Sequence, residues 1–236
     1  MDESSKPREF TPDQLKFVKK LQIYLAPVRI IVSLMFYSLA AGGPLRFFAA
    51  LPAKVFSILF SAVLMIESIV QAPDVGGKEK DRNSFFIGRA AFSATCFLII
   101  VDWFWIRKHW APLEWSWVWV VAGAAITLAG ETIRVVSIRT LGRFFTRKVR
   151  LHSNQKVIRA GIYSRVRHPS YAGLMTVLLG HITVFASAIG YALFVVAVIP
   201  TMLNRIRVEE IAMREELGEE YDAYRRETRK LIPFVY

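Results

Sequence analysis

Apolar residues along this chain come in runs of about twenty, the length a helix needs to cross a bilayer core roughly 30 Å thick. The first run is about Ile23–Ala41, and Gly42-Gly43-Pro44 ends it. A second runs from about Phe47 to Val70 and stops near Pro73-Asp74-Val75-Gly76-Gly77; a third covers about Phe85–Ile106 and a fourth about Trp115–Ile138. A polar loop from Arg139 to Pro169 follows, and then an apolar stretch of 33 residues, Tyr171–Leu203. That stretch is too long for one crossing, and Ala186-Ser187-Ala188-Ile189-Gly190 interrupts it, so it predicts two segments in a tight hairpin. From Asn204 the pattern turns charged and helical. The expected fold is an all-α polytopic membrane protein of about six transmembrane helices with a cytosolic C-terminal helix. It divides into a tail at 1–22, a four-helix membrane region at 23–138, and a loop, hairpin and C-terminal helix at 139–236.

Charge refines this picture. The formal net charge is +12, which on a soluble domain would suggest nucleic acid. Basic residues of membrane proteins, however, collect in cytoplasmic loops. With the N-terminus inside and six crossings, the inside pieces hold five Lys/Arg in the tail, three at 71–84, nine at 139–169 and seven from Asn204 onward. The outside pieces hold only Arg46, Arg107 and Lys108. This asymmetry accounts for most of the charge without nucleic acid, puts both termini in the cytoplasm, and places the 139–169 loop and the C-terminal tail on one face. Tryptophans at 103, 105, 110, 115, 117 and 119 flank the connection between the third and fourth runs, as an interfacial belt does. The polar N-terminus lacks an apolar signal region, and Thr11-Pro12-Asp13 is a plausible cap for a short amphipathic helix.

Several chemistries are unsupported. One cysteine, Cys96, and four scattered histidines give no disulfide framework and no zinc spacing. There is no phosphate-binding P-loop and no Gly-x-Gly-x-x-Gly. Arg29, Glu67, Arg89, Asp102, Glu131 and Arg134 fall in or near apolar runs, where an ionisable group costs a few kcal/mol unless paired. Glu131 and Arg134, three apart, can pair with each other. Chemistry-capable side chains concentrate in Gly161–Gly173, where Arg165, Arg167 and His168 can bind anions and Tyr163 and Tyr171 offer aromatic faces. Pro169 suits the first turn of a helix whose free N–H groups favour a carboxylate or phosphate. Arg205 and Glu209, four apart, share a helix face where the membrane ends.

These residues resemble a known family. Gly161-Ile162-Tyr163 with Arg167-His168-Pro169-Ser170-Tyr171-Ala172-Gly173 is similar to the G-x-Y…R-H-P-x-Y-x-G signature of the isoprenylcysteine carboxyl methyltransferases and their phospholipid-methyltransferase relatives. Arg205-Ile206-Arg207-Val208-Glu209-Glu210, Leu217-Gly218-Glu219-Glu220-Tyr221-Asp222-Ala223-Tyr224 and Ile232-Pro233-Phe234 resemble its R-x-x-x-E-E…F-G-x-x-Y-x-x-Y…P ending. The likeness covers about Gln155 to the C-terminus. The family commonly has histidine where this chain has Gln155, and Phe where it has Leu217.

The resemblance implies a membrane-embedded methyltransferase using S-adenosylmethionine, with 139–236 as its core and 23–138 as the probable acceptor side. It implies cofactor contacts from Gln155, Lys156, Val157, Ile158, Tyr163, His168, Pro169, Ser170, Tyr171 and Glu209. It implies Arg205 and Glu209 as the catalytic pair, with Arg205 holding the acceptor. His168 would suit the carboxylate of a methionine-type zwitterion and Glu209 its ammonium, while an aromatic face stabilises a sulfonium. A carboxylate acceptor is ionised at neutral pH, needs no base, and suits a two-pronged guanidinium grip. The acceptor expected is a prenylated cysteine whose tail enters between helices, surrounded by membrane lipids. A phospholipid amine or small thiol is the alternative within the same fold, an amine having Glu210 as its candidate base. A non-enzymatic transporter or scaffold is the alternative of another class. The membrane would be the endoplasmic reticulum in a eukaryote or the inner membrane in a bacterium. The acceptor's identity and the oligomeric state stay open.

Overall fold

The computed structural model describes residues 11–71, 78–79, 83–107, 109–110, 113–146, 150–151 and 156–231. Nearly all are helical. Helix α1 (Pro12–Tyr24) opens on a capping box: Thr11 Oγ1 accepts from the Gln14 amide, and the Gln14 side chain accepts from the Thr11 amide. It continues almost directly into α2 (Ala26–Ala40), which ends where Gly42 and Gly43 take positive φ. A short α3 (Pro44–Ala49) leads to α4 (Leu51–Val70), then α5 (Ser84–Val101), extended by a π-helical turn at Asp102–Ile106, and α6 (Trp117–Leu141). Helix α7 (Pro169–Phe185) stops at Ala186, whose φ of 47° turns the chain. Ser187 then caps α8 (Ala188–Leu193), which runs through a π-helical stretch, Phe194–Val198, into α9 (Ile199–Leu217). A last helix, α10 (Glu219–Glu227), follows Gly218.

Among the described residues, five helical stretches are long and apolar enough to cross a membrane: Pro12–Ala40, Leu51–Val70, Ser84–Ile106, Trp117–Leu141 and Ala188–Leu217. The 17-residue α7 is the shorter apolar helix of the predicted hairpin. The chain is an integral multi-pass membrane protein. Its hairpin turns at Ala186-Ser187, as the break in the apolar pattern indicates. Among the described residues the two-stranded ladder is Lys78↔Leu151 and Glu79↔Arg150, antiparallel and only two residues long.

Helix α7 is the most enclosed element, with every residue from Gly180 to Phe185 buried. It lies against α6 so closely that glycine is needed where the backbones meet. A Cβ on Gly180 would stand 2.3 Å from Thr127 Oγ1 and 2.6 Å from its amide nitrogen. A Cβ on Gly130 would stand 2.6 Å from the Val177 nitrogen. Lipid tails are as apolar as leucine, so close backbone approach, not hydrophobicity, is what holds two such helices together. Tyr37, Phe56, Phe60, Ile99 and Phe185 fill the space among α2, α4, α5 and α7.

The polar contacts sort the connections onto two ends. At one end the 78–79 segment pairs with 150–151, Val166 bridges Arg229, and Lys19 Nζ reaches the Ser68 and Gln71 carbonyls. At the other, Arg107 donates to the carbonyls of Phe185 and Ala186, and Trp115 Nε1 donates to Val184 O at 3.1 Å. The loops that the Lys/Arg count assigns to one face are thus together.

The intramembrane charges find partners that spacing alone does not reveal. Arg134 is not held by Glu131; it pairs with Glu67 on α4 and donates to Ser170 on α7. Both Glu131 carboxylate oxygens are buried and lack a hydrogen-bond partner among the described residues. Position i+3 put the two on neighbouring parts of one helix, but Arg134 extends across the helix interface to a better acceptor. Asp102 accepts from Ser187 Oγ at 2.5 Å, and Arg29 donates to Ser68 Oγ at 2.7 Å.

Candidate functional site

The site begins with the segment that enters α7. Gly161, at φ 56°, starts a 3-10 turn through Ser164 and buries Tyr163, whose carbonyl accepts from Tyr224 Oη at 2.7 Å. Residues 165–168 then run beside 229–230: Arg167 N donates to Arg229 O at 2.8 Å, His168 N to Lys230 O at 2.9 Å, and Arg229 N to Arg165 O at 2.9 Å. Pro169 takes the first turn of α7. Arg167 lies beneath this pairing, with Nε 3.0 Å from Glu210 Oε1 and Nη1 donating to the carbonyls of Arg225 and Thr228. A residue expected to bind an anionic ligand is instead a brace, because the Glu210 carboxylate, about three helical turns along α9, lies within reach.

Two layers of side chain rise from this brace. His168 Nε2 is 3.4 Å from Glu210 Oε1, and its ring stacks on Tyr171 with centroids 5.8 Å apart. Tyr171 Oη donates to Glu209 Oε2 at 2.6 Å, and the Arg205 guanidinium stands 5.5 Å over the Tyr171 ring. Arg205 also donates to Ser84 Oγ at 3.2 Å and lies 5.6 Å from the Phe85 ring, so α5 contributes to its position. Among the described residues Tyr171 is the hydrogen-bond partner of Glu209, so the carboxylate keeps accepting capacity.

All of this faces one cavity of about 550 Å³. Its polar end is lined by Lys156, Tyr163, His168 and Glu209, and its apolar end by Phe60, Val63, Leu174 and Val177. His181 lies at the apolar end, buried against Phe56, and neither ring nitrogen has a hydrogen-bond partner among the described residues. Burial raises the hydroxyls of Tyr163 and Tyr221 well above the usual tyrosine range, with Glu209 adding to the effect at both, and raises Tyr224 to about 12. These hydroxyls therefore stay protonated donors at neutral pH.

Residues 123–215 match the sequence model of the isoprenylcysteine carboxyl methyltransferase (ICMT) family. A rice protein (Oryza sativa subsp. indica) described as a probable protein-S-isoprenylcysteine O-methyltransferase is 27% identical over 190 residues, covering 75% of this chain and 95% of that one. Protein-S-isoprenylcysteine O-methyltransferase B of Arabidopsis thaliana is 29% identical over 133 residues, 55% of this chain and 64% of that one. The fold is similar to a solved structure of the eukaryotic intramembrane Ras methyltransferase ICMT, at a TM-score of 0.63 and 20% identity, covering 94% of this chain and 82% of that one. Over residues 123–215 the chain is similar to the isoprenylcysteine carboxyl methyltransferase family.

The residues that the family signature singles out gather at this cavity. Lys156, Val157, Ile158, Tyr163, His168, Ser170, Tyr171, Arg205 and Glu209 all line it, and buried Pro169 opens the helix between two of them. Gln155, like His152, falls outside the described residues. Five residues around the cavity were missed. Arg134 lines the cavity and holds Ser170, although its own helix seemed to supply its partner. Tyr221 and Tyr224 line it from α10; their i,i+3 spacing in the second signature block was the available sign. Ser84 and Phe85, at the start of α5, had no sequence signal.

Proposed function

We propose that this protein is a membrane-embedded methyltransferase that takes its methyl group from S-adenosylmethionine and esterifies the carboxylate of an isoprenylcysteine-like acceptor. The observation that carries the reading is the stack of Arg205, Tyr171 and Glu209 at the junction between the polar and apolar ends of one cavity. The donor set suits the cofactor. Glu209 has accepting capacity for an ammonium, His168 presents a ring at the N-terminus of α7, and Tyr163 and Tyr171 offer aromatic faces to a sulfonium. Lys156, Val157, Ile158, Pro169 and Ser170 complete the cofactor's surroundings in this reading, with Gln155 beside them. Bound there, S-adenosylmethionine would supply an electrophilic methyl group.

The chain's own work is alignment and charge placement. Arg205 holds the acceptor carboxylate, an anion at neutral pH that needs no base, and its stacking on Tyr171 and Phe85 fixes the plane of the guanidinium. The apolar end takes the tail and keeps water away from the reacting end. Glu210, the base that an amine acceptor would need, is committed to Arg167 and His168, which favours the carboxylate over a lipid amine. We assign residues 139–236 as the methyltransferase core and 23–138 as the acceptor side, with both termini and the polar end of the cavity in the cytoplasm. The membrane is then the endoplasmic reticulum in a eukaryotic cell or the inner membrane in a bacterial one.

The test is methyl transfer from radiolabelled S-adenosylmethionine to farnesylcysteine by the detergent-purified protein, followed by mild alkali. Release of volatile methanol is the expected result, since it reports a methyl ester. Cofactor binding without label in farnesylcysteine would discard this acceptor.

A further inference from the structure

Most of the cations around the cavity are held by neighbours; among the described residues Arg89 and Lys156 are the exceptions, and of these Arg89 lies within an apolar helix. Arg134 pairs with Glu67, Arg167 with Glu210, and Arg29 donates to Ser68 and Gln22, while Arg205 is held by Ser84 and two aromatic rings. Arg89, five residues into α5, lines the cavity, is exposed, and makes no hydrogen bond or ion pair with another described residue. An unpaired guanidinium within an apolar helix is costly and calls for an explanation.

The surroundings of Arg89 supply one. Helices α2 and α5 meet at Phe36 and Phe97, ring centroids 5.2 Å apart, on the far side of the cavity from the loops. Nearer the polar end the cavity lies between them, lined by Val28 and Val32 of α2 and by Phe85, Gly88 and Arg89 of α5. Val28 and Val32 are 54% and 62% exposed, so the cavity opens sideways, toward the acyl chains. Arg89 stands at that opening, and Phe85, four residues earlier on the same face, touches the Arg205 guanidinium. A path thus leads from the lateral mouth past Arg89 and Phe85 to Arg205.

We propose that Arg89 is a specificity-determining residue at this lateral mouth, recruiting acceptors whose tailed head carries a carboxylate and passing the anion to Arg205. The proposal rests on the methyltransferase reading above. Arg89's long stem lets its charged end reach the headgroup layer while its Cα stays among apolar side chains. An anionic phospholipid head has the same chemistry and is the competing occupant.

The test measures kcat and KM for farnesylcysteine with wild type, Arg89→Gln and Arg89→Lys in phosphatidylcholine vesicles, then with added phosphatidylglycerol. Arg89→Gln is expected to raise the acceptor KM about five- to tenfold, the size of one interfacial cation. The kcat and the KM for S-adenosylmethionine stay unchanged, and Arg89→Lys stays close to wild type. Phosphatidylglycerol raises the wild-type acceptor KM by competition and has no such effect on Arg89→Gln. An unchanged acceptor KM in Arg89→Gln overturns the proposal, as does a matching loss in kcat and in the cofactor KM, which marks a structural role. Phosphatidylglycerol leaving the wild-type acceptor KM unchanged, or raising it equally in Arg89→Gln, shows that Arg89 does not bind the anion and also overturns it. A wild-type protein that leaves farnesylcysteine unmethylated brings down the methyltransferase reading itself, and the proposal with it.

Discussion

Arg134 on α6 donates from Nη1 to both polar atoms of Ser170 that face it, the hydroxyl at 2.9 Å and the carbonyl at 3.2 Å. Its Nε is spent on Glu67, so one buried guanidinium ties α4, α6 and the first turn of α7 together. Removing one member of such a pair leaves the other charge uncompensated, which costs about 3–5 kcal/mol. Arg134→Met should therefore lower thermal stability sharply in detergent. Arg134→Met with Glu67→Gln should recover much of the loss, because neither member of the pair is then left as an uncompensated charge. Equal melting temperatures for the single and double variants would show that the pair is not what stabilises this junction.

Tyr171 serves two partners through different parts of its side chain. The hydroxyl donates to Glu209 and the ring underlies Arg205. Tyr171→Phe removes the first contact and keeps the second. A hydrogen bond to a charged group is worth about 1.5–3 kcal/mol. If Glu209 holds the cofactor's ammonium, Tyr171→Phe should weaken S-adenosylmethionine binding roughly tenfold or more, with a smaller change in acceptor KM. Tyr171→Ala should impair both. Isothermal titration with the cofactor and a KM measurement with the acceptor separate the two effects.

How much of this could be read in advance differs from element to element. Runs such as Leu51–Val70 announce themselves because a bilayer demands unbroken apolar length. The turn at Ala186-Ser187 shows because 33 apolar residues exceed one crossing. Of the motif around His168, the side chains of Tyr163, Arg167, His168, Ser170 and Tyr171 line one cavity. What hydropathy cannot carry is the direction in which a side chain leaves its helix. Arg134 and Glu131 are three apart, yet Arg134 reaches to α4 and α7 while the Glu131 carboxylate stays without a hydrogen-bond partner. Arg167 looked like a ligand-binding cation until Glu210, 43 residues later, was placed beside it. Such long-range neighbours are fixed by helix packing.

The α6–α7 interface gives a stability prediction independent of the chemistry. At Gly180 the nearest obstacle to a Cβ is the Thr127 hydroxyl at 2.3 Å, but the Thr127 amide nitrogen at 2.6 Å and the Gly123 carbonyl oxygen at 2.7 Å are backbone and cannot swing aside. Gly180→Ala must push the helices apart, an overpacking cost of about 1–3 kcal/mol. Because α7 carries His168–Tyr171 at its other end, the displacement should also reduce methyl transfer. Gly142 shows the contrast: nothing lies within 4 Å of its Cβ position, so glycine is needed there for its φ of 54° and ψ of −121° and not for close packing. Gly180→Ala should lower the melting temperature, and an unchanged value would show that the two backbones do not meet this closely.

Arg167 offers the remaining prediction, because its contacts are nearly all within the protein. Its guanidinium joins Glu210 on α9 to the carbonyls of Arg225 and Thr228, which lie where α10 ends and the pairing with 165–168 begins. Tyr221 and Tyr224 are buried just before that point and line the cavity from α10. Arg167→Gln keeps some donor capacity but loses the charge and the fork, leaving Glu210 with His168 3.4 Å away and Arg225 4.0 Å away. The 219–231 segment should then open far more often than the rest of the fold. Hydrogen exchange should rise at the amides of Arg229 and His168, which pair across this junction, and not at the buried amides of α6 and α7. Cofactor affinity should fall with it, since Tyr221 and Tyr224 leave the cavity wall when α10 lifts. Uniform exchange across the whole chain would instead mean that Arg167 stabilises the protein globally, and unchanged exchange would mean that backbone pairing at 165–168 holds α10 without it.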